Sequence, residues 1–178
     1  MSAQSKTCHL TLIRHAKSSW KYAKLNDIDR PLNKRGRRDA PLMANRMAQR
    51  GFRPTQILCS PALRTLRTIE VIIHAARLDY KRLTIEPRLY MADAEEMASL
   101  IHALNPGSGW VALVGHNPGI TTLANALSGQ MIANVPTCGV VNMKFSAQNW
   151  SDIKPRYLAD FLFDYPKNGV ANADIDQA

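Results

Sequence analysis

Short apolar runs alternate with helical stripes along most of this chain, and that alternation restricts the folds open to it. His9-Leu10-Thr11-Leu12-Ile13, Gln56-Ile57-Leu58-Cys59, Leu83-Thr84-Ile85 and Trp110-Val111-Ala112-Leu113-Val114 read as strands. Helical patterns lie between them. Asn33 is placed to cap a helix over 34–50, with Met43 and Met47 on one face and Gly51 at its end. Pro41 falls inside that pattern and either kinks it or marks its true start. Ser60-Pro61 reads as the N-cap and first position of a helix carrying Leu66, Ile69, Ile73 and Ala76. Met97, Leu100, Ile101 and Leu104 form the stripe of a third helix, closed by Asn105-Pro106-Gly107. Asn117-Pro118 repeats the cap-then-proline signal ahead of Ile120, Leu123 and Leu127. The segment 18–32 is too irregular to assign.

Near the end the period changes, and 140–145 and 157–163 read as strands with no helix between them. Alternating strands and helices predict a mostly parallel central sheet covered on both faces, a three-layer α/β/α sandwich. A length of 178 residues, without internal repeat, low-complexity tract or linker, predicts a single domain over 1–178. From about 167 to 178 the composition is small and polar, which predicts a loose tail.

Lys and Arg number 23 against 14 Asp and Glu, a net charge of +9 that favours anionic partners without choosing among them. Residues 1–7 are polar and lack the apolar core of a signal peptide, and no stretch has the length to span a bilayer. Cys8, Cys59 and Cys138 are odd in number, far apart and without a CxxC pair. That argues against a disulfide framework or a zinc site and fits a reducing cytoplasm. No metal, cofactor or membrane partner is expected.

In open α/β sheets ligands bind beyond the carboxyl ends of the strands. The first strand stops at Arg14-His15, a pair that packing alone could explain as a polar strand end. Two later strand ends carry matching chemistry. The second leads into Ser60-Pro61-Ala62-Leu63-Arg64, which places Arg64 in the first turn of a helix, where anions are favoured. The fourth ends in Gly115-His116-Asn117-Pro118-Gly119, again at a helix start. Two guanidiniums and two imidazoles can thus converge on one small anion, and arginine's planar fork suits a phosphoryl group. His74 and His102 fall within helices and read as structural or surface residues, and His9 has no such setting. Lys34, Arg35, Arg37 and Arg38 read as a solvated helix face.

LIRHAKSSW, DRPLNKRG, SPALRTLRT and GHNPG, in this order and at these distances, resemble the histidine phosphatase superfamily, the phosphoglycerate mutase-like branch 1. Within it the chain is most similar to the small SixA-type phosphohistidine phosphatases, over about residues 10 to 166. The resemblance implies the sandwich fold, no metal, and a phosphohistidine enzyme intermediate. It makes His15 the nucleophile, Arg14 and Arg64 phosphate clamps and His116 the second histidine. Ser18 falls where some members place a hydroxyl near the phosphate, and is the weaker candidate.

His15 must be neutral to attack phosphorus, because an imidazolium has no lone pair to donate. Charge on the equatorial oxygens of a metaphosphate-like transition state would be met by Arg14, Arg64 and a protonated His116. Relatives acting on phosphomonoesters carry a glutamate acid in a segment like RLxE. Here Arg88-Leu89-Tyr90-Met91 puts Met91 at that place, with Glu86 and Asp93 as flanking substitutes. An alkoxide needs such an acid, whereas a protonated imidazole leaves neutral, with a conjugate-acid pKa near ~6.5. The segment 87–97 leaves no room for a lid, and Lys17 and Lys21 stand where mutase-like members read Glu and Asn.

The expected activity is therefore hydrolysis of phosphohistidine on a phosphorelay or phosphotransfer protein. A small-molecule phosphomonoesterase on the same fold is the alternative. A non-catalytic basic module that binds nucleic acid or acidic proteins ranks below both, since the basic residues are not interleaved with stacking aromatics. A monomer is expected.

Overall fold

The computed structural model describes residues 7–106 and 109–168. The expected strands appear as β1 (Cys8–Arg14), β2 (Gln56–Cys59), β3 (Leu83–Ile85), β4 (Trp110–Gly115), β5 (Val140–Phe145) and β6 (Leu158–Asp164). The helices are α1 (Lys34–Gln49), α2 (Leu63–Ala75), α3 (Ala94–His102) and α4 (Gly119–Ser128). One six-stranded sheet runs in the order β3-β2-β4-β1-β5-β6. β3, β2, β4 and β1 are parallel neighbours, and β5 and β6 continue the sheet antiparallel.

Alternation along β1 sorts the core into two halves. Leu10 and Leu12 face one way and pack with Met97, Leu100, Ile101, Leu123 and Leu127 of α3 and α4. Ile13 faces the other way, with Met43 and Met47 of α1 and Ile69, Ile72 and Ile73 of α2. These are the three layers of the expected α/β/α sandwich.

Asn33 caps α1 as expected, its side chain accepting from Gly36 N at 2.9 Å. Pro41 does not mark the start: α1 begins at Lys34 and runs through the proline. Gly36 instead answers to packing, since a Cβ there would fall well inside contact distance of the Lys17 carbonyl. Both cap-then-proline expectations need correction. α2 opens at Leu63 after Ala62, and α4 at Gly119 after Pro118, so neither Ser60 nor Asn117 is an N-cap. The Asn117–Pro118 peptide is cis. The polar N-terminus up to residue 6, Gly107 of the expected turn and 169–178 of the expected tail lie outside the described residues. No helix among the described residues is long and apolar enough to cross a membrane.

Candidate active site

The parallel register of β1 and β4 sets Arg14 beside Gly115. The next residue of each strand is a histidine, so His15 and His116 leave the sheet at the same level. Their ring centroids lie 5.2 Å apart, tilted by 56°. His15 N donates to the Gly115 carbonyl (3.2 Å), Cys138 N to the His15 carbonyl (3.0 Å) and Arg14 N to the Gly139 carbonyl (3.0 Å). The first histidine is thus held by the end of β4 on one side and by the turn leading into β5 on the other. β2 brings in the third strand end, with Ser60 N donating to the Val114 carbonyl at 3.0 Å.

His15 Nδ1 lies 2.8 Å from the Ala16 carbonyl oxygen. A carbonyl only accepts, so Nδ1 carries the hydrogen and Nε2 keeps the lone pair. Burial pushes this imidazole down to about 3; the Ala16 bond opposes the shift, and His116, Arg64 and Arg14 add to it. Near neutral pH the ring is uncharged.

His116 is 2 % exposed. Its Nδ1 lies 3.5 Å from Arg64 Nη2 and its Nε2 lies 2.8 Å from Ser60 Oγ. A guanidinium only donates, so in the neutral ring Nδ1 is the acceptor and Nε2–H donates to the serine. Burial, then Arg64, lower its pKa to about 4, with Asp27 opposing. The protonated form invoked for the transition state is therefore not the resting form.

Arg14 Nη1 donates to the Val135 carbonyl (2.7 Å) and to Asn134 Oδ1 (3.3 Å). Its buried Nε has no hydrogen-bond partner among the described residues. Arg64 is buried at 3 % exposure and bonds to Asp27 through both ends of its fork, Nη1 to the backbone carbonyl (2.6 Å) and Nη2 to Oδ2 (2.8 Å). Ser18 is buried, and its Oγ accepts from Arg30 Nη2 at 2.7 Å. Arg14, His15, Ser18, Arg64 and His116, the residues proposed from sequence, all line one pocket of about 240 Å³.

Residues 10–90 match the histidine phosphatase superfamily (branch 1). An uncharacterized chloroplastic protein of Arabidopsis thaliana is 31% identical over 153 residues, 80% of this chain and 69% of its own length. SixA of Agrobacterium tumefaciens, a candidate phosphohistidine phosphatase of solved structure, is 31% identical. It covers 87% of this chain and 97% of its own, at TM-score 0.73. The chain belongs to the histidine phosphatase superfamily, branch 1.

The chain also shares its fold with a protein histidine phosphatase SixA complexed with tungstate, at 22% identity and TM-score 0.72 over 90% of this chain and 98% of that one. A mycobacterial glucosyl-3-phosphoglycerate phosphatase matches at 15% identity and TM-score 0.60 over 89% and 98%. Family and neighbours together support phosphatase chemistry on this fold.

Met91 lines the pocket, 57% exposed, with Sδ 3.9 Å from Arg64 Nη2. The two flanking carboxylates do not line it. Glu86 accepts from Arg88 N and Nε, and Asp93 caps α3 through Glu96 N. Sequence reasoning missed Ser60, Asp27, Arg30 and Tyr90. Arg30 donates to Asp27 Oδ1 (2.7 Å) and to the Ser19 carbonyl (3.0 Å), and its guanidinium lies 3.2 Å from the Trp20 ring centroid. Tyr90 OH donates to Asp27 Oδ2 at 2.8 Å. Asp27 and Arg30 stand in the irregular segment 18–32, where no periodicity singles out a residue. Only the DRPLNKRG match touched it.

Proposed function

We propose that this chain is a phosphohistidine phosphatase that works without a metal, through a phosphorylated His15. The observation that carries the proposal is the state of the His15 ring: Nδ1–H is tied to the Ala16 carbonyl and the ring is neutral by burial. The Nε2 lone pair is thereby left available beside Arg14, Arg64 and His116.

In the first step the Nε2 lone pair attacks phosphorus while the leaving group departs. Arg14, whose buried Nε has no partner among the described residues, and Arg64 take the equatorial oxygens. The dianion raises the proton affinity of His116, so that it acts as a charged donor only when substrate is bound. Water then attacks the phosphorylated His15 and returns it to the neutral state.

The choice of phosphohistidine over a phosphomonoester rests on Met91. A thioether cannot supply the proton that an alkoxide requires, whereas an imidazole already protonated on its other nitrogen leaves neutral. Exposed Trp20, Tyr22, Leu25 and Met91 suit a histidine presented on a partner protein, such as a phosphorelay or phosphotransfer protein. The free, buried cysteines fit a reducing cytoplasm.

The deciding experiment incubates the protein with a phosphohistidine-bearing protein and with a panel of sugar and nucleotide monophosphates, with and without a chelator. Alkaline quenching then preserves any phosphoenzyme for mass spectrometry. Phosphate on His15, its loss in His15→Ala, faster turnover of phosphohistidine and indifference to the chelator are expected. A strong preference for monoesters would assign a metabolite phosphatase instead.

A further inference from the structure

Among the described residues, four cationic side chains line the pocket, Arg14, Lys17, Arg30 and Arg64, with one carboxylate, Asp27. A carboxylate beside a phosphate clamp weakens the attraction for a dianion by ordinary Coulomb repulsion. Its placement makes physical sense when the ligand also carries a positive charge.

Asp27 is well held and still reachable. Oδ1 accepts from Arg30 at 2.7 Å, and Oδ2 from Arg64 at 2.8 Å and from Tyr90 OH at 2.8 Å. A carboxylate has about four acceptor sites. The described bonds leave one of them, on Oδ1, and the side chain remains 41% exposed. Tyr90, which fixes Oδ2, also sets its ring edge-on to His116 at 5.8 Å, so the carboxylate is built into the same cluster as the histidines.

A phosphohistidine protonated on its free ring nitrogen carries a dianionic phosphoryl group and a cationic ring in one side chain. We propose that Asp27 accepts the N–H of that imidazolium, so that the pocket recognises its substrate as an anion joined to a cation. The inference rests on the phosphohistidine reading above and assigns the group that selects for it.

The proton and charge balance follow. His15 Nε2 forms the new bond to phosphorus, and the bond from phosphorus to the substrate ring breaks, its electron pair returning to that ring nitrogen. The substrate ring keeps the proton facing Asp27 and leaves as neutral imidazole. His15 keeps its Nδ1–H and becomes the cationic phosphoimidazolium. The positive charge has moved from one ring to the other, and no acid has donated a proton during the step. Asp27 suits this use because it stays ionised: burial raises its pKa, but hydrogen bonds from Arg30, Tyr90 and Arg64 outweigh burial and hold it at about 2. It is an anion that keeps a proton on the substrate, rather than the missing acid.

The test compares kcat/KM for a phosphohistidine peptide with that for nitrophenyl phosphate, whose leaving group needs neither a proton nor a cation site. Both are measured in wild type and Asp27→Asn, from about pH 5 to about pH 9. Asparagine keeps the shape and removes the charge. The ratio of the two specificity constants is expected to fall by about tenfold or more in the variant. The alkaline fall of kcat on phosphohistidine should also move to lower pH, because the bound substrate ring loses its proton more readily. Parallel losses on both substrates would overturn the inference and reduce Asp27 to a support for Arg64. Should the variant fail to fold, the wild-type ratio still decides: it must fall as pH rises through the imidazolium pKa, and a flat ratio overturns the proposal. A wild-type protein that turns over nitrophenyl phosphate and leaves phosphohistidine untouched would sink the underlying reading instead.

Discussion

Ser60 Oγ lies 2.8 Å from His116 Nε2, and this bond connects the end of β2 to the residue that follows β4. With Arg64 at Nδ1, it sets the tautomer of the second histidine before any ligand arrives. A serine that sequence pattern assigns to a helix cap is, in the fold, a support for the pocket histidine.

Ser60→Ala removes that support without altering the pocket wall. We expect kcat to fall by about tenfold, the worth of one net hydrogen bond, with KM little changed. Steady-state kinetics together with the nitrogen NMR shifts of His116 check it; wild-type kcat with an unchanged tautomer would falsify the assignment.

Gly119 closes the GHNPG motif for reasons of packing. A Cβ there would fall inside contact distance of the Ala92 carbonyl and would crowd Met97 Cε at 2.9 Å. Gly119→Ala is expected to cost about 1–3 kcal/mol and to lower Tm by several degrees. Thermal unfolding measures it, and a Tm equal to wild type would mean that α4 has room to retreat.

Both pocket histidines carry depressed pKa values, His15 about 3 and His116 about 4. An unfolded histidine titrates near ~6.5, so below that pH the unfolded chain binds more protons than the folded one. Stability is then fully present above about pH 6.5 and is lost progressively as pH falls toward the folded values. Asp27 adds little to this window, since its contribution is lost mainly between its unfolded value of 3.8 and its folded value of about 2. Urea titrations from about pH 7 to about pH 4.5 should show the decline, and His15→Gln should flatten part of it. An identical pH slope in the variant would contradict a neutral, buried His15.

Trp20 stands 75% exposed at the pocket mouth, with the Arg30 guanidinium stacked on its ring. If the substrate is a histidine on another protein, Trp20→Ala should raise KM several-fold for the phosphoprotein and leave a free phosphohistidine peptide less affected. Equal effects on both would place Trp20 in the pocket's own architecture and argue against a protein contact.

Sequence pattern by itself determined the layer architecture and four of the groups in the pocket. Strands and helices announce themselves through periods of two and 3.6 residues, and the strand ends carrying Arg14-His15, Arg64 and His116 follow directly from those boundaries. Tertiary structure alone decided how the site is wired. The register Arg14 against Gly115 puts the histidines at one level. The irregular segment 18–32 carries Asp27 and Arg30 to Arg64 and Ser18. Ser60 is drawn from the role of a cap to His116. Periodicity reports which face of an element is buried, whereas these contacts join residues from 12 positions apart (Ser18 and Arg30) to 101 (Arg14 and Gly115), whose meeting depends on sheet order and loop path. The carboxylate now proposed to select the substrate lies in the segment where local pattern says least.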